Sequence, residues 1–409
     1  MTRLDMMAIW RFIIPILIVF FLIEPVSASE EKPRVRGEAA VLIDAKTGTI
    51  LYEKNADTRL YPASITKIAT GIVAIESSNI KDTVKVSKEA RYEEGTRVFL
   101  AEGEEVTLEN LLYGLLVNSG NDAATAIAEY IDGSKEQFAI RMNEFVRDKV
   151  GVTQTHFTNP HGLPDPNHYT TARDMAFIAK YAMKNDLFRQ IVSTKTKPWT
   201  GKEWKSELVN HNKLLWSYEG ANGIKNGYTN AAGFTLVSSA RRGDTELIGV
   251  ILKASSNNEL YADMTELLDY GFENFESRLV MAKGEQKSFN INQKERVFYS
   301  QEPIWLTLHK GIDPVLTVDD EGSLYVQNSP LISSSEAIAT LYPVKQEQEQ
   351  VPDLSELPMK IMETSAPDRK SPWTIAITGV WFLQLAFMFM LILAIRRKKK
   401  SLKRNRYYE

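Results

Sequence analysis

The stretch "YPASITKIAT" carries Ser64 and, three residues on, Lys67. On a helix, positions three apart share a face and lie within reach of each other. A serine hydroxyl is a poor nucleophile until a base takes its proton. Lysine can be that base only where burial or a nearby cation lowers its pKa toward neutrality. At a helix start, Ser64 would also gain from the positive end of the dipole as charge develops. The plainer reading is that Ser64 caps an ordinary helix after "RLYPA". Both readings stay open on this motif alone.

Two further motifs follow in chain order. "NSGN" places Ser119, Gly120 and Asn121 between two helical stretches, where a hydroxyl and a carboxamide can relay a proton and bind a carbonyl. Alone it is an ordinary helix–helix turn with a cap. "GIKNGYTN" places Lys225, Asn226, Gly227, Tyr228 and Thr229 just before the strand-like "GFTLVSSA". A lysine there can hold a carboxylate, and a glycine lets backbone approach closely. A literal Lys46-Thr47-Gly48 also occurs, but it precedes the Ser-x-x-Lys segment and reads as a hairpin turn.

Taken together and in this order, Ser-x-x-Lys, Ser-x-Asn and Lys-x-Gly form the signature set of the serine penicillin-recognising enzymes. The segments "AAVLIDAKTGTILYEKNADTRLYPASITKIAT", "LLVNSGNDAATAIAEYI", "NPHGLPDPNHYTTARDMA" and "GIKNGYTNAAGFTLVSSA" resemble the low-molecular-mass D-alanyl-D-alanine carboxypeptidases, peptidase family S11, over about residues 38 to 275. The resemblance implies an α/β (α+β) serine β-lactamase/D,D-peptidase-like domain, an antiparallel sheet with helices. It implies Ser64 as acylated nucleophile, Lys67 as general base and Ser119 as proton relay to the leaving D-alanine. The implied substrate-binding set is Asn121, Lys225, Asn226, Gly227 and Thr229, with Lys225 holding the terminal carboxylate. Backbone N–H groups, one of them of Ser64, would form the oxyanion hole. The substrates would be peptidoglycan stem peptides ending in D-Ala-D-Ala, with β-lactams as covalent inhibitors and no cofactor.

Two positions depart from the family pattern. Asn226 stands where threonine or serine is usual, and Glu246 stands where some relatives carry an arginine that assists carboxylate recognition. A glutamate there would oppose a carboxylate unless Arg241 or Arg242 compensates. These departures motivate an alternative, a catalytically weakened wall-binding scaffold. A β-lactamase-like hydrolase is the third reading. His156, His161 and His168 lack the helical His-Glu-x-x-His pattern of a zinc site, and no metal is expected. His161, in "NPHGLPD", suits a structural or rim role.

The elements that must position these residues can be read from periodicity. "AAVLIDAKTGTILYEKN" predicts two strands around a turn. Apolar residues at 65, 68, 69, 72 and 75 predict a helix after Ser64. "LENLLYGLLV", "NDAATAIAEYI", "MNEFVRDKVGV" and "TARDMAFIAKYAMKN" predict four more helices. Residues 233 to 254 predict a hairpin turning near Arg242, Gly243 and Asp244, and "ELYADMTELLDYGFENF" a closing helix. This catalytic domain is assigned to 29–276, followed by a small β-rich domain over 277–345 and a polar, proline-bearing linker over 346–372.

The ends speak about location. Arg3 and Arg11, the apolar run 12–23 and the small residues Val26-Ser27-Ala28 predict a signal peptide over 1–28. Residues 373–395 carry no charge and are long enough to span a bilayer, and the basic tail 396–409 follows. Positive charge stays cytoplasmic, so the expectation is an exported protein anchored by a C-terminal transmembrane helix, its body outside. A net charge of −3 over 409 residues gives no reason to expect nucleic acid. The absence of cysteine excludes disulfides, a thiol nucleophile and thiolate metal sites.

Overall fold

A computed structural model describes residues 32–344. The expected leader 1–28, linker 346–372, apolar span 373–395 and tail 396–409 lie outside the described residues. Among the described residues no helix is long and apolar enough to cross a membrane.

Strands β1 (Ala39–Asp44) and β2 (Ile50–Lys54) form the expected hairpin. A 3-10 turn, Ala63–Thr66, leads into α1 (Lys67–Ser77). Helices α2 (Leu108–Leu116), α3 (Asn121–Asp132), α4 (Lys135–Phe145), α5 (Ala172–Ala182) and α6 (Asp186–Ser193) follow. A projecting hairpin, β3 (Thr196–Thr200) and β4 (Lys205–Val209), precedes β5 (Ala221–Thr229), β6 (Gly233–Arg242) and β7 (Thr245–Ala254). Helix α7 (Asn257–Asn274) closes this part. One antiparallel sheet runs β2-β1-β7-β6-β5, which leaves the Lys225 strand at an edge, open to the helices.

The sheet is buried on both faces, and β1 shows why its sequence lacks polar alternation. Ala39, Val41 and Ile43 join the core shared with α1, α2, α3 and α5, whereas Ala40 and Leu42 join the core under α7. A strand covered on both sides reads as a continuous apolar run. Helix α1 lies inside the helical layer and is buried from Lys67 through Ala74, so it too is apolar nearly all round. It is the rigid post that begins with Lys67 and carries the Ser64 turn at its N-terminal end.

Helix α6 and the β3–β4 hairpin are not among the elements predicted from periodicity. The hairpin buries only Trp199 and Leu208, so no period-2 pattern marks it. Residues 275–343 are rich in strands, beginning with β8 (Phe275–Met281) and including β9 (Gln286–Ile291), β10 (Lys294–Tyr299) and β11 (Ile304–His309). Their apolar cluster includes Met281, Phe298, Leu306 and Leu324. The Lys46-Thr47-Gly48 turn is used here: Thr47 Oγ1 lies 2.6 Å from Thr307 Oγ1, and Lys46 Nζ sits 3.3 Å from the centre of the Trp305 ring.

Candidate active site

Ser64 sits in the 3-10 turn rather than capping a helix; the N-cap of α1 is Thr66, which makes no side-chain cap. Two glycines let other segments press on this turn. A Cβ on Gly162 would lie 1.9 Å from the Ala63 carbonyl oxygen, and one on Gly227 would lie 2.6 Å from the Ser64 amide nitrogen. Ala63 itself is held at φ +52°, a conformation that favours glycine. Thr235 Oγ1 on β6 donates to the Pro62 carbonyl at 2.9 Å and ties the turn to the sheet.

Lys67 has no solvent exposure, and its Nζ lies 3.0 Å from Ser64 Oγ. The same Nζ donates to the His161 carbonyl at 2.7 Å. Burial pushes the Lys67 ammonium well below the ordinary lysine range, and the positive charge of Lys225 pushes it further; Asp122 and Glu93 pull the other way. A neutral amine held by one carbonyl has a lone pair for the Ser64 proton. This is the arrangement a serine acyl-transfer site needs.

Lys225 is likewise buried, and burial lowers it to about 7. Its Nζ donates to the Asn226 carbonyl at 2.8 Å and lies 3.5 Å from Asn226 Oδ1. Ser119 is buried with φ +65° in the turn between α2 and α3. The N-cap of α3 is Gly120, so neither Ser119 nor Asn121 serves as the cap of the plainer reading. Asn121 begins α3; its Nδ2 donates to the Glu94 carbonyl at 2.6 Å, which orients the carboxamide. Asp122, next to it, accepts from the amides of Val98, Leu100 and Ala123, each at 2.9 to 3.2 Å, and fastens the 93–100 loop along this turn. Lys67 thus touches Ser64 and feels the charge of Lys225, and Asp122, the neighbour of Asn121, bears on the same amine. The Thr229 hydroxyl accepts from the Ala232 amide at 3.0 Å and closes the β5–β6 turn.

The expected conflict at Glu246 does not arise. Its carboxylate is buried, takes a guanidinium N–H of Arg189 on α6, and accepts from Asn222 Nδ2 at 2.7 Å. Arg189, rather than the expected Arg241 or Arg242, supplies the compensating charge. Arg242 stacks on Tyr218 and Phe272, and Arg241 Nε donates to the Gly243 carbonyl. Sequence reasoning placed a charge on a strand but not the face it points to.

Sequence reasoning also missed Glu93, Asp122 and the supporting role of His168. Burial lowers His168 to about 4, and its Nδ1 accepts from the Thr158 amide at 3.0 Å, so the proton sits on Nε2, which faces Thr66 Oγ1 at 2.9 Å. Asp122 carried a readable signal, an acid in the first turn of a predicted helix; Glu93 carried none. The three histidines considered for zinc serve separate contacts, and among the described residues no group of three or more His, Asp or Glu is placed to hold a metal.

Comparison with known proteins agrees with this geometry. Residues 26–256 match the family described as D-alanyl-D-alanine carboxypeptidase, Peptidase S11. The chain is 36% identical over 293 residues to D-alanyl-D-alanine carboxypeptidase DacF of Bacillus subtilis (strain 168), spanning 68% of this chain and 73% of that one. It is 39% identical over 259 residues to the carboxypeptidase DacC of Escherichia coli (strain K12), spanning 60% and 64%. The crystal structure of penicillin binding protein 5 from Haemophilus influenzae superposes with a TM-score of 0.66 at 27% identity, covering 76% of this chain and 98% of that one. A buried lysine beside a serine, the two flanking motifs in their order and these likenesses lead to one conclusion: the chain belongs to the D-alanyl-D-alanine carboxypeptidase family, peptidase family S11.

Proposed function

We propose that this protein is a serine-type D-Ala-D-Ala carboxypeptidase that removes the terminal D-alanine from peptidoglycan stem peptides and is acylated by β-lactams. The observation that carries the reading is Ser64 Oγ at 3.0 Å from the Nζ of a fully buried, depressed-pKa lysine. Lys225 holds the terminal carboxylate, and Asn121 binds the peptide amide. Ser64 Oγ bonds to the carbonyl carbon of the penultimate D-alanine while its proton passes to Lys67. The C–N bond then breaks, and the terminal D-alanine leaves as an amine, protonated by way of Ser119. Water hydrolyses the remaining ester and restores Ser64.

The body works outside the cell in this reading. Residues 1–28 direct export, 373–395 anchor the chain in the membrane with the basic tail 396–409 inside, and the β-rich part over 277–345 with the linker 346–372 spaces the enzyme toward the wall. Support comes from the charge and apolar pattern of the two ends alone. Fractionation of cells expressing the full chain, beside a chain ending at 345, tests this: loss of membrane association only on truncation is expected, and an unchanged distribution refutes the anchor.

The catalytic reading is tested on residues 29–345. A fluorescent penicillin is mapped by mass spectrometry, and D-alanine release is followed from diacetyl-Lys-D-Ala-D-Ala. Label on Ser64 together with release is expected, and Lys67→Ala abolishes both. Robust labelling of Lys67→Ala removes Lys67 as the base.

A further inference from the structure

The Lys67 amine is held by the carbonyl of His161, and the His161 ring is held in turn. Nδ1 of His161 accepts from the Leu163 amide at 3.3 Å, so the ring proton sits on Nε2, which points at Glu93 Oε1 3.6 Å away. The ring is buried. The Glu93 carboxylate is buried as well, and its Oε2 accepts from Thr125 Oγ1 at 2.7 Å and Lys135 Nζ at 2.8 Å. Asn159 Oδ1 accepts from the amides of His161 and Gly162, which completes a rigid loop against Ala63 and Lys67. One residue along the chain from Glu93, the Glu94 carbonyl takes the Asn121 carboxamide.

We propose that Glu93 is a positioning residue for catalysis: its carboxylate, anchored by Thr125 and Lys135, fixes the His161 loop that aims Lys67 at Ser64, and its backbone fixes the loop that aims Asn121. An anion has a second effect on Lys67 that a neutral spacer lacks. Its charge favours the ammonium form and, after burial, Lys225 and Asp122, partly offsets the depression of the base. The titratable groups around this centre are Lys135, His161 and Lys67, with Glu89 on Lys135 and Glu129 nearby on α3; Lys67 itself faces Lys225, Asp122 and His168. Of these, Lys135 is the cation that neutralises Glu93 and bears on His161.

The sign of each change follows. Removing the Glu93 charge lowers the Lys67 pKa, so the acidic limb of acylation moves to lower pH. Removing Lys135 leaves Glu93 uncompensated and moves the limb to higher pH. A purely structural role shifts neither limb in a charge-dependent direction.

The inference rests on the serine–lysine reading, and the experiment separates the two. The second-order rate of penicillin acylation is measured from pH 5 to 9 for the wild type, Glu93→Gln, Glu93→Asp and Lys135→Gln of residues 29–345, each with a thermal melt. Misplacing the base by about 1 Å costs up to roughly 100-fold in rate, so a loss of about 10- to 100-fold is expected for folded Glu93→Gln. Its acidic limb moves down, Glu93→Asp keeps the wild-type limb, and Lys135→Gln moves it up. A folded Glu93→Gln with an unmoved limb overturns the proposal. Should Glu93→Gln not fold, an unmoved limb in Lys135→Gln overturns it equally. Failure of the underlying reading appears elsewhere, as a wild type that is not acylated or a Lys67→Ala that still is.

Discussion

Replacing Gly227 by alanine adds one methyl group where β5 lies against the Ser64 amide. The new Cβ falls 2.6 Å from Ser64 N, 2.8 Å from Thr235 Oγ1 and 3.1 Å from Ala63 Cβ. Ordinary contact begins near 3.4 Å, so the strand and the nucleophile turn must separate by 0.8 Å (3.4 minus 2.6). Three contacts on one side leave no direction of easy relief, because Thr235 is itself bonded to the Pro62 carbonyl. An oxyanion bond of about 2.9 Å stretched by that amount reaches roughly 3.7 Å and ceases to be a hydrogen bond. Losing one oxyanion donor costs about 10²- to 10³-fold in kcat, or about 2.7–4 kcal/mol of transition-state stabilisation. Overpacking of this kind costs about 1–3 kcal/mol in stability, and Gly227 has no positive φ to add backbone strain. The variant is therefore expected to stay folded with a modestly lower melting temperature and to lose most of its activity. Steady-state D-alanine release, penicillin acylation and a circular dichroism melt read all three quantities. A folded variant acylating within threefold of wild type would refute the close-approach argument and place the oxyanion donors elsewhere.

Other outcomes follow from single contacts. Lys225→Met is expected to raise KM for diacetyl-Lys-D-Ala-D-Ala at least about tenfold, the scale of one lost charge-assisted bond, while leaving KM for a C-terminally amidated peptide unchanged. Because free Lys225 titrates near 7, its charge is present below that pH and lost above it, so KM for the free carboxylate should climb as pH rises through 7; a flat KM from 6 to 9 argues against Lys225 as the anchor. Asn226→Thr is expected to lower that KM, and an unchanged or higher value would mean the asparagine is adapted to its substrate. Arg189→Met leaves the Glu246 carboxylate half-satisfied and should cost about 1–3 kcal/mol in unfolding while KM holds, since Glu246 is engaged with Arg189 and Asn222; a tenfold KM change would reopen a role in carboxylate recognition. Burial keeps His161 and His168 neutral down to about 3 and about 4, whereas the unfolded chain protonates them near 6.5. The unfolded state then holds more protons, so melting temperature should fall as pH drops from 6.5 toward 4, and His168→Gln should flatten that slope.

What the sequence by itself determined was chemistry carried by local order. Ser64 and Lys67 are one turn apart, Ser119 and Asn121 share a tight turn, and Lys225 to Gly227 form a short strand segment, so each motif is legible without knowing what packs on it. The paired strands at 39–54, the helices after Ser64 and Asn121 and the hairpin over 233–254 were legible for the same reason: their apolar periodicity spans neighbours in the chain. The tertiary structure alone decided the electrostatics. That Lys67 is wholly buried, that Lys225 from 158 residues away lowers it further, and that the His161 carbonyl holds its amine all depend on contacts between distant segments. Glu93 and Glu246 make the point most sharply. Both are acids with no motif around them, yet one is anchored behind the base and the other is neutralised by Arg189. A charge in a sequence has no partner until folding gives it one, and desolvation, which sets the pKa, is a property of the packed interior rather than of the chain.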